Sequence, residues 1–161
     1  MKKKAIFLDR DGVVNKERQD YTWKVEDFEF TDGFFEAMKI FSEMGFLFFV
    51  ITNQGGIAKG LYSHKDVEIL NDLMCNAFKT NNLQLTDVYY CPHHSEIEKC
   101  LCRKPDSLLI EKCIANYNID VKKSYFIGDR QRDVDAGAKV GLNTIKIKAN
   151  ESLLNYIELI K

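Results

Sequence analysis

A short apolar run, Ala5-Ile6-Phe7-Leu8, stops abruptly at Asp9-Arg10-Asp11-Gly12. A buried strand that delivers two carboxylates at its tip is costly to build. The acids repel one another unless a cation or hydrogen-bond donors meet them. Other apolar stretches repeat the strand signal. Phe46 to Ile51 is apolar on both faces, the pattern of a central parallel strand. Asp87–Tyr90, Ser124–Ile127 and Asn143–Ile147 are also of strand length. Helical spacing runs over Gly33–Met44, from a Ser63/Asp66 cap to about Lys79, over Ser107–Asn116 and over Asp133–Val140. A closing helix is predicted over Ser152–Ile160. Strands alternating with helices predict an α/β fold, with a mostly parallel five-stranded sheet and right-handed crossovers. Ligands of such sheets bind beyond the carboxyl ends of the strands.

With 161 residues, 45% of them hydrophobic, a single domain over 1–161 is expected. A net charge of −1 supplies no field to draw nucleic acid or an acidic membrane. Lys2-Lys3-Lys4 is the one dense basic block, and a solvated chain start explains it. The apolar segment behind it is too short for a signal peptide. Gly45 to Ile51 falls far below the ~20 residues of a membrane span. The expectation is a soluble, cytoplasmic monomer with no nucleic-acid or membrane partner.

Four polar clusters fall at the carboxyl ends of these strands or in the loops that follow. Asp9 and Asp11 share a face of an extended chain and can both reach one phosphate. Asp9 would attack it as a nucleophile, and Asp11 would move the proton. Asp129 follows Ile127-Gly128 and is the further ligand for Mg2+. Asp133 supports it, either as a ligand or by orienting a metal-bound water; a helix-start carboxylate is the plain alternative. Thr52-Asn53-Gln54, with Gly55 and Gly56 behind, offers a hydroxyl and backbone N–H groups to a phosphate. Lys104 can neutralise the transferring group, and Arg103 can grip an oxygen group on the substrate.

Between the third strand and these basic residues, the loop of about 91–104 carries Cys91, His93, Cys100 and Cys102. Four soft ligands can close a tetrahedral structural Zn2+ site that pins a loop lacking a core. His94 is left over. Cys75 and Cys113 sit in helical patterns as small hydrophobes.

Asp9-x-Asp11-Gly12, Thr52-Asn53-Gln54, Lys104 and Gly128-Asp129, in that order over most of the chain, resemble the haloacid dehalogenase (HAD) superfamily of phosphotransferases. The zinc loop narrows the resemblance to small phosphatases acting on heptose bisphosphate or histidinol phosphate. The resemblance implies a Rossmann-like three-layer sandwich without a large cap domain. It also implies an aspartyl phosphate on Asp9, with Mg2+ held by Asp9, Asp129 and the backbone carbonyl of Asp11. Asn15, the Thr52–Gly60 stretch and Tyr89–His94 look like the heptose enzymes, implying removal of the C7 phosphate of D-glycero-D-manno-heptose 1,7-bisphosphate. The six residues between His93 and Cys100 make a short loop, closer to the histidinol type. Asp106-Ser107 stands where the family carries Pro-Gly. A zinc-stabilised binding module is the non-enzyme alternative; it predicts a broken acid set, whereas Asp9, Asp11 and Asp129 are all present.

Overall fold

A computed structural model describes all 161 residues. Five parallel strands form one sheet: β1 (Ala5–Leu8), β2 (Leu47–Asn53), β3 (Asp87–Cys91), β4 (Tyr125–Gly128) and β5 (Asn143–Lys146). Their spatial order is β3-β2-β1-β4-β5. The chain winds outward from β1 through β2 and β3, then returns to the other side of β1 for β4 and β5. The strand order therefore reverses between β1 and β4, and a crevice opens at their carboxyl ends.

Alternation along each strand builds two cores. Ile6, Leu8, Phe48 and Val50 pack with Phe34, Met38 and Phe41 of α1 (Phe34–Glu43) and Met74 and Phe78 of α2 (His64–Thr80). Ala5, Phe7, Phe49 and Ile51 face the other way. They meet Leu109, Ile110 and Cys113 of α3 (Leu108–Tyr117) and Ala136 of α4 (Gln131–Lys139). Phe7 stacks between Phe49 at 5.1 Å and Phe126 at 6.4 Å, tying the three central strands together. The result is a helix–sheet–helix sandwich.

Local chemistry sets the ends of the helices. Ser63 and Asp66 form a reciprocal capping box at the start of α2, as the spacing predicts. Gly45 and Gly141 follow α1 and α4 at positive φ. Two boundaries differ from the sequence reading. Helix α4 begins at Gln131, which places Asp133 at its third position, where it accepts from the Arg130 N–H at 3.0 Å. The closing segment is a 3-10 helix, Leu153–Leu159, that packs on α1. Over so short a stretch, periods of 3.0 and 3.6 bring the same residues inward.

Only a 3-10 turn at Val25–Asp27 lies between β1 and α1, so no large cap covers the crevice. No helix is long and apolar enough to cross a membrane.

Candidate active site

The carboxyl ends of β1 and β4 bring Asp9 and Asp129 together across the crevice. Asp9 follows β1 directly, and its N–H donates to Ile127 O at 3.0 Å, so the parallel ladder fixes its position. Asp129 follows Gly128, and Asp133 comes one turn into α4. Carboxylate oxygens of Asp9, Asp129 and Asp133 lie within 4.8 Å of one another.

One ammonium answers two of these three acids. Lys104 Nζ lies 2.8 Å from Asp9 Oδ1, 2.7 Å from Asp133 Oδ1 and 2.7 Å from Ile51 O. Lys104 is buried, yet the two carboxylates hold its pKa above the ordinary lysine value against the cost of desolvation. Asn53 clasps the Lys104 backbone from both sides: its Nδ2 donates to Lys104 O, and its Oδ1 accepts from Lys104 N, each at 3.0 Å.

The charge balance is incomplete without a further cation. Asp129 Oδ1 is buried and has no hydrogen-bond partner. Burial and the neighbouring Asp133 raise the Asp129 pKa above its usual value, with Arg130 opposing them. Gly12 keeps the space beside it open, since a Cβ there would stand 2.8 Å from Asp129 Oδ2. A hard divalent ion with oxygen ligands fits this donor set, and Mg2+ satisfies its chemistry.

Burial lifts the Asp9 carboxyl to about 7, with Lys104 opposing the rise and Asp133 adding to it. Between the usual 3.8 and about 7, the folded chain therefore holds a proton that the unfolded chain releases. Stability falls as pH rises through that window, by an amount on the order of a few kcal/mol. A bound cation removes the penalty. Magnesium is thus expected to raise Tm more at pH 7.5 than at pH 5.5; an equal rise at both, read by thermal shift, contradicts this account.

Asp11 stands apart from the acid cluster. Its Oδ1 accepts from Arg10 Nε at 3.3 Å, Arg10 Nη2 at 3.0 Å and Asn15 Nδ2 at 3.0 Å. Gln54 Nε2 donates to its Oδ2 at 3.2 Å. Its side chain keeps 25% of its surface exposed, against 6% for Asp9. Asp11 is therefore open to a ligand in the crevice, while Asp9 is sealed except toward it. Both line a cavity of about 290 Å3, with Glu17, Asn53, Asp129 and Arg130 among its walls. Its lining is almost wholly polar or charged, which suits a hydrated, anionic ligand.

Thr52 is buried at the end of β2, where its Oγ1 accepts from Gln54 Nε2 at 2.9 Å. Gly56 makes room for Tyr62: a Cβ there would stand 2.1 Å from the Tyr62 ring. Arg103 Nη1 donates to His93 O at 3.0 Å, fastening the basic pair to the Cys/His loop. Gly128 is required by space alone, since a Cβ would come within 2.2 Å of Asp133 Cβ. Asp133 is pinned by Lys104 and Arg130 and cannot step aside. Gly128→Ala is expected to cost ~3 kcal/mol. A shifted urea midpoint would register the loss; an unchanged midpoint would contradict it.

The other cluster is the Cys/His loop. Cys91, His93, Cys100 and Cys102 offer ligand atoms within 4.8 Å of one another. Cys91 Sγ lies 3.7 Å from Cys100 Sγ and 3.1 Å from Cys102 Sγ, and His93 Nδ1 lies 3.2 Å from Cys102 Sγ. Ligands around a tetrahedral zinc with ~2.3 Å Zn–S bonds stand ~3.8 Å apart, so this set can contract onto or relax around one ion. Burial pushes the Cys91 thiol up. A cation would reverse that by favouring the thiolate. Cys113 is buried as expected, while Cys75 is only half-buried.

Sequence reasoning missed Arg10 and Tyr62, and it gave Asn15 no contact with Asp11. Arg10 is fully buried, and its Nη2 also donates to Thr22 O at 2.5 Å, joining Asp11 to the cavity wall. A charged residue between two acids at a strand tip was the available signal. Nothing in the sequence marks Tyr62 beyond its place before the α2 cap.

A family model described as HAD-hydrolase-like matches residues 101–153. The D-glycero-alpha-D-manno-heptose-1,7-bisphosphate 7-phosphatase of Campylobacter jejuni is 42% identical over 94% of this chain and 85% of that protein. The D-glycero-beta-D-manno-heptose-1,7-bisphosphate 7-phosphatase of Helicobacter pylori is 41% identical over 90% of this chain and 84% of its own length. The crystal structure of a D,D-heptose 1,7-bisphosphate phosphatase from B. bronchiseptica, complexed with magnesium and phosphate, superposes with a TM-score of 0.81. It shares 28% identity and covers 88% of this chain and 78% of that one. The switch-point carboxylates, the lysine between them and the uncapped parallel sheet thus sit in a phosphoric monoester hydrolase of the HAD class. Identity of this extent over nearly the whole length narrows the class further. The chain belongs to the manno-heptose-1,7-bisphosphate 7-phosphatase family.

Proposed function

We propose that residues 1–161 work as one phosphatase unit that removes the C7 phosphate of a D-glycero-D-manno-heptose 1,7-bisphosphate. The observation that carries this reading is the division of labour between the two strand-tip acids. Asp9 Oδ1 accepts from Arg10 N and Lys104 Nζ, each at 2.8 Å, which leaves Oδ2 as the attacking atom. Asp9, Asp129 and the backbone carbonyl of Asp11 would hold Mg2+, which supplies positive charge against the phosphate oxygens. Asp133 holds Lys104 in place from behind.

Asp9 Oδ2 bonds to phosphorus as the bond from phosphorus to the sugar oxygen breaks. Asp11 gives its proton to that departing oxygen. Water then attacks the aspartyl phosphate, and the bond from Asp9 to phosphorus breaks. Asp11 takes the water proton back, and inorganic phosphate leaves. Lys104 stabilises charge throughout as a fixed cation. Thr52, Asn53 and Gln54 shape the phosphate end of the cavity. Arg103, behind the zinc loop, meets the rest of the substrate.

The relatives carry both anomeric names, so the test takes both anomers. Phosphate release from alpha and beta heptose 1,7-bisphosphate is compared with release from histidinol phosphate and a phosphopeptide. The heptose esters are expected to lead by at least ~10-fold in kcat/KM, since a site built to pair substrate hydroxyls rejects ligands lacking them. A preference for histidinol phosphate or the peptide overturns the substrate assignment.

A further inference from the structure

The two oxygens of Asp11 are held unequally. Oδ1 faces three N–H groups, two from Arg10 and one from Asn15, while Oδ2 faces only Gln54 Nε2 at 3.2 Å. Oδ2 is therefore the less restrained oxygen, and Gln54 Nε2 is the one protein donor that fixes its direction.

The Gln54 amide is fully engaged. One Nε2 hydrogen goes to Asp11 Oδ2 and the other to Thr52 Oγ1, while Oε1 accepts from Tyr62 Oη at 2.6 Å. The two ends of an amide have nearly the same shape, so sterics alone does not choose its orientation. Turned over, it would set its Oε1 against Asp11 Oδ2, acceptor against acceptor. The Tyr62 proton would then lose its acceptor in buried surroundings. Tyr62 is 7% exposed and Gln54 1%.

The seat of Tyr62 is built for this duty. The Trp23 ring stacks on it at 6.2 Å, and Tyr21 meets it edge-on at 5.7 Å. Gly56 alone leaves space for its ring, and the capping box begins at the next residue, Ser63.

We propose that Tyr62 is a positioning residue for proton transfer: acting through Gln54, it aims Asp11 Oδ2 at the departing and attacking oxygens. This rests on the acid–base assignment of Asp11 made above.

The test separates proton delivery from general integrity. A heptose alkoxide leaves only with a proton, whereas p-nitrophenolate leaves without one. Tyr62→Phe keeps the ring and its stacking and removes the donor. Its kcat/KM on heptose 1,7-bisphosphate is expected to fall roughly 10-fold, part of the 100-fold or more that general acid catalysis supplies. On p-nitrophenyl phosphate it should stay within about 2-fold of wild type. In an Asp11→Asn background, Tyr62→Phe should cost nothing further, because residues acting as a unit are not additive. Equal losses on both esters, wild-type rates on both, or a full loss persisting in the Asp11→Asn background overturn the inference. If Asp11→Asn alone spares the heptose ester, the acid–base assignment fails, and the role of Tyr62 falls with it. If Asp11→Asn is selective for that ester and Tyr62→Phe is not, only the role of Tyr62 fails.

Discussion

Asp9→Asn is expected to lose at least ~10,000-fold in kcat while keeping its fold, as removal of a nucleophile does in other covalent mechanisms. The amide keeps an oxygen to accept from Arg10 N, but it cannot form the phosphoenzyme. Lys104 does not become an orphaned buried charge, because Asp133 Oδ1 and Ile51 O both remain within 2.7 Å of its ammonium. The variant also loses the carboxylate whose ionisation burial opposes, so its Tm should depend less on pH than that of wild type. Phosphate release and circular dichroism on one preparation decide the matter. A folded variant that retains more than a few per cent of wild-type kcat removes Asp9 as nucleophile.

The zinc loop should show the other large effect. One zinc per chain is expected from the four converging ligands, measured by elemental analysis against protein concentration. Cys102→Ser, or chelation, should lower Tm sharply and abolish activity together. In isolated fingers zinc supplies ~10–16 kcal/mol of folding energy; here two cores stand without it, so the loss falls on the loop and what it carries. It carries a great deal: Arg103 and Lys104 follow Cys102 directly, and Lys104 is the cation of the site. Limited proteolysis within residues 91–104 should then precede global unfolding. A zinc-free preparation with wild-type Tm and activity would dismiss the structural ion.

Much of this architecture could be read from residue order. Asp9 and Asp129 each follow an apolar run, and a parallel sheet places such residues at one edge whatever the intervening helices do. The Cys/His set was legible because soft ligands rarely crowd into twelve positions without a metal. The roles of Asn53, Gln54 and Arg10 were not legible. Asn53 reads as a phosphate ligand, yet both ends of its amide grip the Lys104 backbone, 51 residues away. Arg10 carries no assignment in the sequence, yet it is buried against Thr22 O. Contacts of this kind depend on where loops return, which no local period encodes. The closing 3-10 helix escaped for a different reason, since seven residues are too few to separate the two helical periods.

The lysine bridge also bears on when the molecule becomes active. Lys104 and Asp9 lie 95 residues apart, and the second carboxylate on that ammonium belongs to Asp133. Asp9 is made well before both of them. Closing so long a loop is slow and is rewarded only when both strands flanking β1 are in place. On the ribosome, Asp9 stays without its lysine until residue 104 has emerged, and that lysine lacks its second carboxylate until residue 133 has. A product truncated before residue 133 is therefore expected to show no phosphatase activity.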